Sequence, residues 1–360
     1  MPGCRSWTGK SEDIVALSLF DRVTAALFGG SASPEDATER QLIADMTELV
    51  VEAVEPRVRF HGGYEGKLEG CVRASIAHLR AIGRQQLDPI LLARAAWNDD
   101  PRLSAFFATV DDIPACLGRS NELRAFLENP SNREIGEVYA LLAMKKEERT
   151  VFAAQLEGDV VRHDVAQTNV NFSQHTLIAP TATLAATRLE VGKRIIKRLA
   201  QVALSRIVAL DMKATELNEH KAYLGARLRL LNLARDGMEG IVKDPATAKE
   251  EIKTLERELK ETVDGYIEAK TSLTTLQGYI NHIDDVFSHP EQHVTFTNTP
   301  LRLSRMGTKV NDASSGPVNE LTLAELSIGE DLRIAIAIAR CPRSEVPPKE
   351  DLIAKAERYL

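Results

Sequence analysis

Apolar positions recur at helical spacing over the first third of the chain. Ile14, Leu17, Leu19 and Phe20, with Val23, Leu27 and Phe28, form one stripe that Gly29-Gly30 ends. Ser33 reads as an N-cap with Pro34 in the first turn, opening a second helix. Its face continues through Leu42, Met46, Leu49, Val50 and Val54 to a stop at Pro56. A third helix is predicted from Leu68 to Ile82. Further helix starts are read at Asp88-Pro89, Asp111-Asp112-Ile113-Pro114 and Asn121-Glu122. Asn129-Pro130-Ser131-Asn132 reads as a linker, so a helical domain is expected over 1–135.

The period then changes. Val138 to Met144 is a short apolar run, Lys145-Lys146-Glu147-Glu148-Arg149 reads as a charged turn, and Thr150 to Ala153 is a second run. Gly158-Asp159 reads as another turn, followed by Val160, Val161, Val165 and the stretch Thr168 to Ser173. The pattern predicts an antiparallel meander over 136–187. A helix over Glu137 to Glu157 is the rival reading, since Ala, Leu, Met and Glu favour helices. Strand patterns return at His293 to Thr297, Leu301 to Leu303, Leu321 to Leu326 and Leu332 to Ile338, with a Gly/Ser/Pro loop over 311–318.

Between these two β-type regions lies the strongest pattern in the chain. Ile196, Ala203, Leu210, Leu217, Leu224 and Leu231 lie seven apart, and the companions four later are Ala200, Ile207, Ala214, Lys221 and Leu228. A second arm repeats this with Ile252, Leu259, Tyr266, Leu273, Ile280 and Phe287, accompanied by Leu255, Thr262, Ala269, Leu276 and Ile283. A 3.5-residue apolar period keeps one seam facing a partner helix, so coiled-coil packing is expected. Asp236-Gly237-Met238-Glu239-Gly240 and Asp244-Pro245 break the helix midway and leave arms of similar length. The first arm, 188–236, has 11 Lys and Arg against 5 Asp and Glu; the second, 247–288, has 5 against 9. Net charges of +6 and −4 favour the arms meeting one another. The predicted fold is α+β. An N-terminal helical domain (1–135) precedes an antiparallel β domain (136–187 and 291–360), interrupted by an antiparallel coiled-coil helical hairpin (188–290, tip near 237–246).

Composition narrows the chemistry. The 360 residues are 44% apolar and 27% charged with a net charge of −7, which excludes a disordered chain, a fibre and a small disulfide scaffold. The acidic balance disfavours a dedicated DNA-coating protein. No apolar run is long enough to predict a membrane span, and the first residues read as no secretory leader. Cys4, Cys71, Cys116 and Cys341 are scattered, with no C-x-x-C pair, so metal and redox readings fail on spacing and a reducing cytoplasm is expected.

Four constellations carry candidate chemistry. Gly62-Gly63-Tyr64-Glu65-Gly66-Lys67-Leu68 lacks the spacing and hydroxyl of a phosphate loop and reads as a connection between helices. His282, Asp285 and His289 share a helix face and are candidate metal ligands, next to the helix stop at Pro290. His163-Asp164 with His175 sets an acid beside a base, but neighbours on a strand point apart. Lys193, Arg194, Lys197 and Arg198 form a basic stripe of candidate phosphate contacts, though no aromatics accompany it for base stacking. No dinucleotide fingerprint or nucleophile motif is present, so no cofactor and no catalytic residue is assigned. The leading expectation is a non-enzymatic scaffold or adaptor. It binds a protein partner through the hairpin or its tip, at Gly237, Met238, Gly240, Ile241 and Pro245. The alternatives are nucleic-acid binding on the basic arm, or an enzyme with an interdomain cleft and no sequence motif. A homodimer zipped through the heptads is the alternative to an intramolecular hairpin.

Overall fold

The computed structural model describes residues 37–157, 160–236, 245–310 and 318–348. It is an α+β fold with long helices and an antiparallel sheet. The elements are α1 (Ala37–Val54), α2 (Tyr64–Arg84), β1 (Ile90–Leu91), α3 (Pro101–Phe106), α4 (Asp112–Arg119), α5 (Asn121–Glu128), β2 (Glu137–Glu157) and β3 (Val160–Thr181). There follow α6 (Leu184–Asp236), α7 (Pro245–Thr274), α8 (Leu276–Ser288), β4 (Val294–Ser304), β5 (Val318–Ile328) and β6 (Leu332–Pro342). The chain divides into two compact units. The first comprises the described parts of Met1–Leu42, Ser75–Ile196 and Pro290–Leu360; the second comprises Ile43–Ala74 and Lys197–His289. The expected stripe over Ile14 to Phe28 and the cap at Ser33 lie outside the described residues.

The first unit is built on a sheet of order β3-β2-β6-β5-β4. Alternation sets its faces: Val138, Ala140, Leu142 and Met144 of β2 point inward with Leu321 and Leu323 of β5 and Ala335, Ala339 and Cys341 of β6. Against them pack Leu103, Phe106 and Phe107 near α3, Ile113 and Leu117 of α4, and Leu123 and Leu127 of α5. Each fully buried Leu there contributes about 1.5–3 kcal/mol. The short helices are capped locally: Asp100 accepts from the Arg102 N–H, and Ser120 accepts from the Leu123 N–H while its hydroxyl donates to the Leu177 carbonyl. On the other face, the His78 ring donates to the Val294 carbonyl at 2.7 Å and Thr187 donates to the Tyr139 carbonyl at 3.1 Å.

Several expectations change. Of the helical domain expected over 1–135, the described residues do not stand apart, because α3, α4 and α5 lack a core of their own and complete that of the sheet. Asp88-Pro89 opens no helix; it leads into β1, which pairs in parallel with Ala339 and Arg340 beyond the reach of β5. Lys145 to Arg149 is no turn. β2 runs straight through it, pairing with β3 along its length. Its five charges mimic turn composition, but Lys145 and Arg149 pair with Glu147 along the strand, and Lys146 and Glu148 find partners beyond it. Lys146 sits 3.2 Å from Glu325, and Glu148 sits 2.7 Å from Lys309. The helical rival over Glu137 to Glu157 falls with this ladder. The single strand β4 spans the two short runs read around Pro300, and the loop read over 311–318 lies outside the described residues up to 317.

β3 carries three β-bulges, and in each one residue takes positive φ: Asp164 (61°), Gln174 (55°) and Ala179 (55°). The bulges shift side-chain parity, so that His175 and Leu177 continue inward the row begun by Val170 and Phe172. Beside it, the Val170 N–H donates to the Gly307 carbonyl at 2.8 Å. A Cβ on Gly307, whose φ is 76°, would lie 2.7 Å from the Val170 carbonyl oxygen, so this close approach requires glycine.

The Ala179 bulge leaves a backbone N–H that Glu122 accepts at 3.0 Å, and the same carboxylate receives both Arg194 nitrogens at 2.7 and 3.0 Å. Burial raises the Glu122 carboxyl's pKa, but the Arg194 and Ala179 hydrogen bonds outweigh it and hold the net value below the ordinary one. A lowered folded-state pKa adds stability that is full above the unfolded value and is lost as pH falls through the folded one. Glu122→Gln is therefore expected to cost about 0.5–1 kcal/mol at pH 7, discounted for solvent screening. In chemical denaturation across pH, the difference from wild type is expected to close below about pH 4. A gap that persists at low pH contradicts this.

Candidate functional site

The second unit contains the helical hairpin. Its two arms run antiparallel: Arg206 meets Asp285 at 2.8 Å, Asp211 meets Lys270 at 3.1 Å, His220 meets Glu258 at 3.3 Å and Arg227 meets Glu251 at 3.1 Å. As one residue number rises the other falls; in three pairs the base is on the basic arm, and Asp211 with Lys270 has the reverse polarity. The seam is the heptad set. Ala200, Ala203, Ile207, Ala214 and Leu224 of α6 are buried, with Ile252, Leu255, Ala269 and Leu273 of α7 and Ile280, Ile283 and Phe287 of α8. The one polar break, Lys221, is accommodated because its ammonium sits 4.6 Å over the Tyr266 ring, itself a heptad position. Thr262 is buried too, its hydroxyl donating to the Glu258 carbonyl.

The second arm is not continuous. Thr275 is extended (φ −121°, ψ 148°) and caps α8, its hydroxyl accepting from the Gly278 N–H at 3.1 Å. The chain turns so tightly that a Cβ on Gly278 would lie 1.7 Å from the Ser272 carbonyl oxygen.

On α6 a second set of apolar residues is exposed: Val208 (49%), Met212 (69%), Tyr223 (58%), Leu230 (68%) and Leu233 (70%). At about 100° per residue these five fall within a sector roughly 80° wide, centred opposite the seam. The outer side of the arm is therefore mixed: these apolar residues share it with exposed Thr215, Glu216 and Glu219. Lone exposed apolar residues are ordinary; these five recur on one side of a single helix.

The residues expected to carry function are placed as follows. Gly237, Met238, Gly240 and Ile241 of the tip lie outside the described residues, and Pro245 is the first residue of α7. His282, Asp285 and His289 follow one another along α8 and its end, and Asp285 and His289 are engaged elsewhere. Asp285 pairs with Arg206, the His289 Nδ1–H donates to the Asp285 backbone carbonyl, and the His282 Nε2 is buried without a partner among the described residues. Burial depresses the His282 pKa, only partly offset by the Asp285 charge. Among the described residues, no group of three His, Cys, Asp or Glu is placed to hold a metal ion.

Of the basic stripe, Lys193 pairs with Glu190 at 2.7 Å and Arg194 with Glu122, so two of the four cations are bound to carboxylates. Arg198 donates to Gln201, and Lys197 is exposed. Asp164 is exposed at its bulge, His175 is half-buried, and the His163 side chain lies outside the described residues. Cys71, Cys116 and Cys341 are free and buried; burial pushes the Cys71 thiol to about 12, Cys116 to about 11 and Cys341 upward. Gly62-Gly63 forms the turn into α2, where Tyr64 donates to Glu48. No helix among the described residues is long and apolar enough to cross a membrane.

No protein-family model matches the chain, and neither a curated protein nor a solved structure matches it.

Two glycines test the hairpin with opposite signs. Gly278→Ala is expected to destabilise by about 1–3 kcal/mol, because the methyl meets a backbone carbonyl that must move. Gly265→Ala is expected to stabilise by about 0.5–1 kcal/mol through helix propensity. Its Cβ would lie 3.5 Å from Leu217 Cδ1, an ordinary contact. Denaturant melts of both variants check this; the same sign for both contradicts the geometry.

Proposed function

We propose that this chain is a non-enzymatic adaptor that holds another protein through the helical hairpin. The supporting observation is the exposed row Val208, Met212, Tyr223, Leu230 and Leu233 on the outer face of α6. The occupant that fits is an amphipathic helix with an apolar stripe and flanks of mixed charge, because acids (Asp211, Glu216, Glu219) and bases (Lys213, Arg227, Arg229) both lie along this stretch of α6. A second copy docking α6 on α6 would set two basic arms side by side, which charge opposes. A reducing, cytoplasmic setting belongs to the same proposal and is supported by the buried free thiols. Nucleic-acid binding along Lys193, Arg194, Lys197 and Arg198 is less well supported, since carboxylates already occupy two of the cations.

A photo-crosslinking residue at Tyr223, with mass spectrometry of the captured peptide in native lysate, tests the proposal. The expected capture is a partner segment with apolar residues at helical spacing and charged neighbours of both signs, lost in the double variant Met212→Glu/Leu230→Glu. Crosslinks to a second copy of this chain, or capture unchanged by the double variant, contradict it.

A further inference from the structure

The first unit contains a cleft of about 640 Å³ between α3, α4, the middle of β3 and the end of β4. Core side chains close its inner end: Phe106 meets Phe172 edge to face at 5.0 Å, with Val170 and Leu303 alongside, all four buried, and Trp97 at its side. Its walls carry His175, Asp112 and Arg119. Three features give these side chains defined states. The bulge at Gln174, with φ of 55°, brings His175 to this face, where its ring stacks on Phe107 at 4.6 Å. His175 Nε2 lies 2.8 Å from the Phe106 carbonyl, which can only accept, so Nε2 carries the proton and Nδ1 of the neutral ring is left as an acceptor. Burial lowers the His175 pKa, consistent with a neutral ring at pH 7; the charges of Arg119 and Asp112 both reach it, with opposite effects.

The two charges are not equivalent. The Asp112 carboxylate accepts both the N–H and the hydroxyl of Thr109, at 2.8 and 2.9 Å. Arg119 gives its Nε–H to the Ala115 carbonyl at 3.1 Å, which orients the guanidinium and leaves its two terminal nitrogens to bind an anion. The cleft thus combines an apolar, aromatic-lined inner end, a cation and a neutral acceptor. We infer that it binds a small planar aromatic acid whose carboxylate meets Arg119 and whose hydroxyl or N–H donates to His175. This site lies apart from the hairpin reading and does not depend on it.

The chain has two tryptophans, so Trp7→Phe leaves Trp97 at the cleft as the sole tryptophan reporter. With 4-hydroxybenzoate as the probe, a saturable fluorescence change with a dissociation constant of about 0.1–1 mM is expected. Phenol, which lacks the carboxylate, and benzamidine, which is cationic, are each expected to bind at least about tenfold more weakly. Arg119→Gln, at an exposed position, is expected to weaken 4-hydroxybenzoate about tenfold with an unchanged melting temperature. His175→Phe, which keeps the stacked ring and removes the acceptor, is expected to weaken it about fivefold. The inference is overturned by the absence of a saturable change up to about 20 mM, by benzamidine binding as tightly, or by an Arg119→Gln variant that binds like the parent. Arg119→Gln and the probe comparison decide the matter even where His175→Phe does not fold.

Discussion

The rest of the second unit depends on the packing of α6 against α7 and α8. Burial of one heptad face by the second arm consumes Ala200, Ala203, Ile207, Ala214 and Leu224 and fixes the rotation of the helix about its own axis. That rotation decides which residues face outward. Val208, Met212, Tyr223, Leu230 and Leu233 are exposed because the other side of the same helix is already occupied. Ion pairs such as Arg206 with Asp285 and Lys270 with Asp211 tie the arms together and set their direction and register. Exposed pairs of this kind add little stability each. Their consequence is specificity of pairing, as expected for arms of opposite net charge.

The first unit is held together differently. Its sheet gives one face to α3, α4 and α5, and the bulges of β3 adjust which side chains reach that face. Each bulge carries a non-glycine residue in the left-handed region, a conformation that costs of order 1–3 kcal/mol unless the surroundings fix it. At Ala179 the surroundings are visible: Glu122 accepts the freed N–H and is itself held by Arg194. At Gln174 the neighbouring His175 is fixed by the Phe106 carbonyl and the Phe107 ring.

Much of this architecture was legible in the sequence, for physical reasons that differ by element. The hairpin could be read because a seven-residue repeat is sustained through two arms broken by Gly and Pro, and the opposite net charges of the arms agreed with it. The sheet could be read in outline because β6 and β5 alternate apolar and polar residues. Lys145 to Arg149 misled because five charges in a row resemble a turn, whereas partners on β3, β5 and the segment after β4 lie far away in sequence. The break at Thr275 was hidden because Leu273, Leu276 and Ile280 keep heptad spacing through it; only Gly278 hinted at the tight approach to Ser272. The outer face of α6 was readable in principle, since Met212 and Leu230 lie five helical turns apart, but its significance depends on knowing which face is filled. The cleft was not readable: strand alternation separates His175 from any neighbour in sequence, and the bulge that reorients it leaves no local pattern.

The distance between the arms decides whether the hairpin closes within one chain. Spin labels at Asp211 and Lys270 are expected to give a pulsed-dipolar distance of about 2 nm or less. Labels at Asp211 and Glu250 are expected to lie about 3 nm apart, since twenty helical residues rise about 30 Å. Both distances should be unchanged when labelled chain is diluted with unlabelled chain. Equal distances for the two pairs, or a signal that fades on dilution, would contradict an intramolecular hairpin and remove the open face that depends on it.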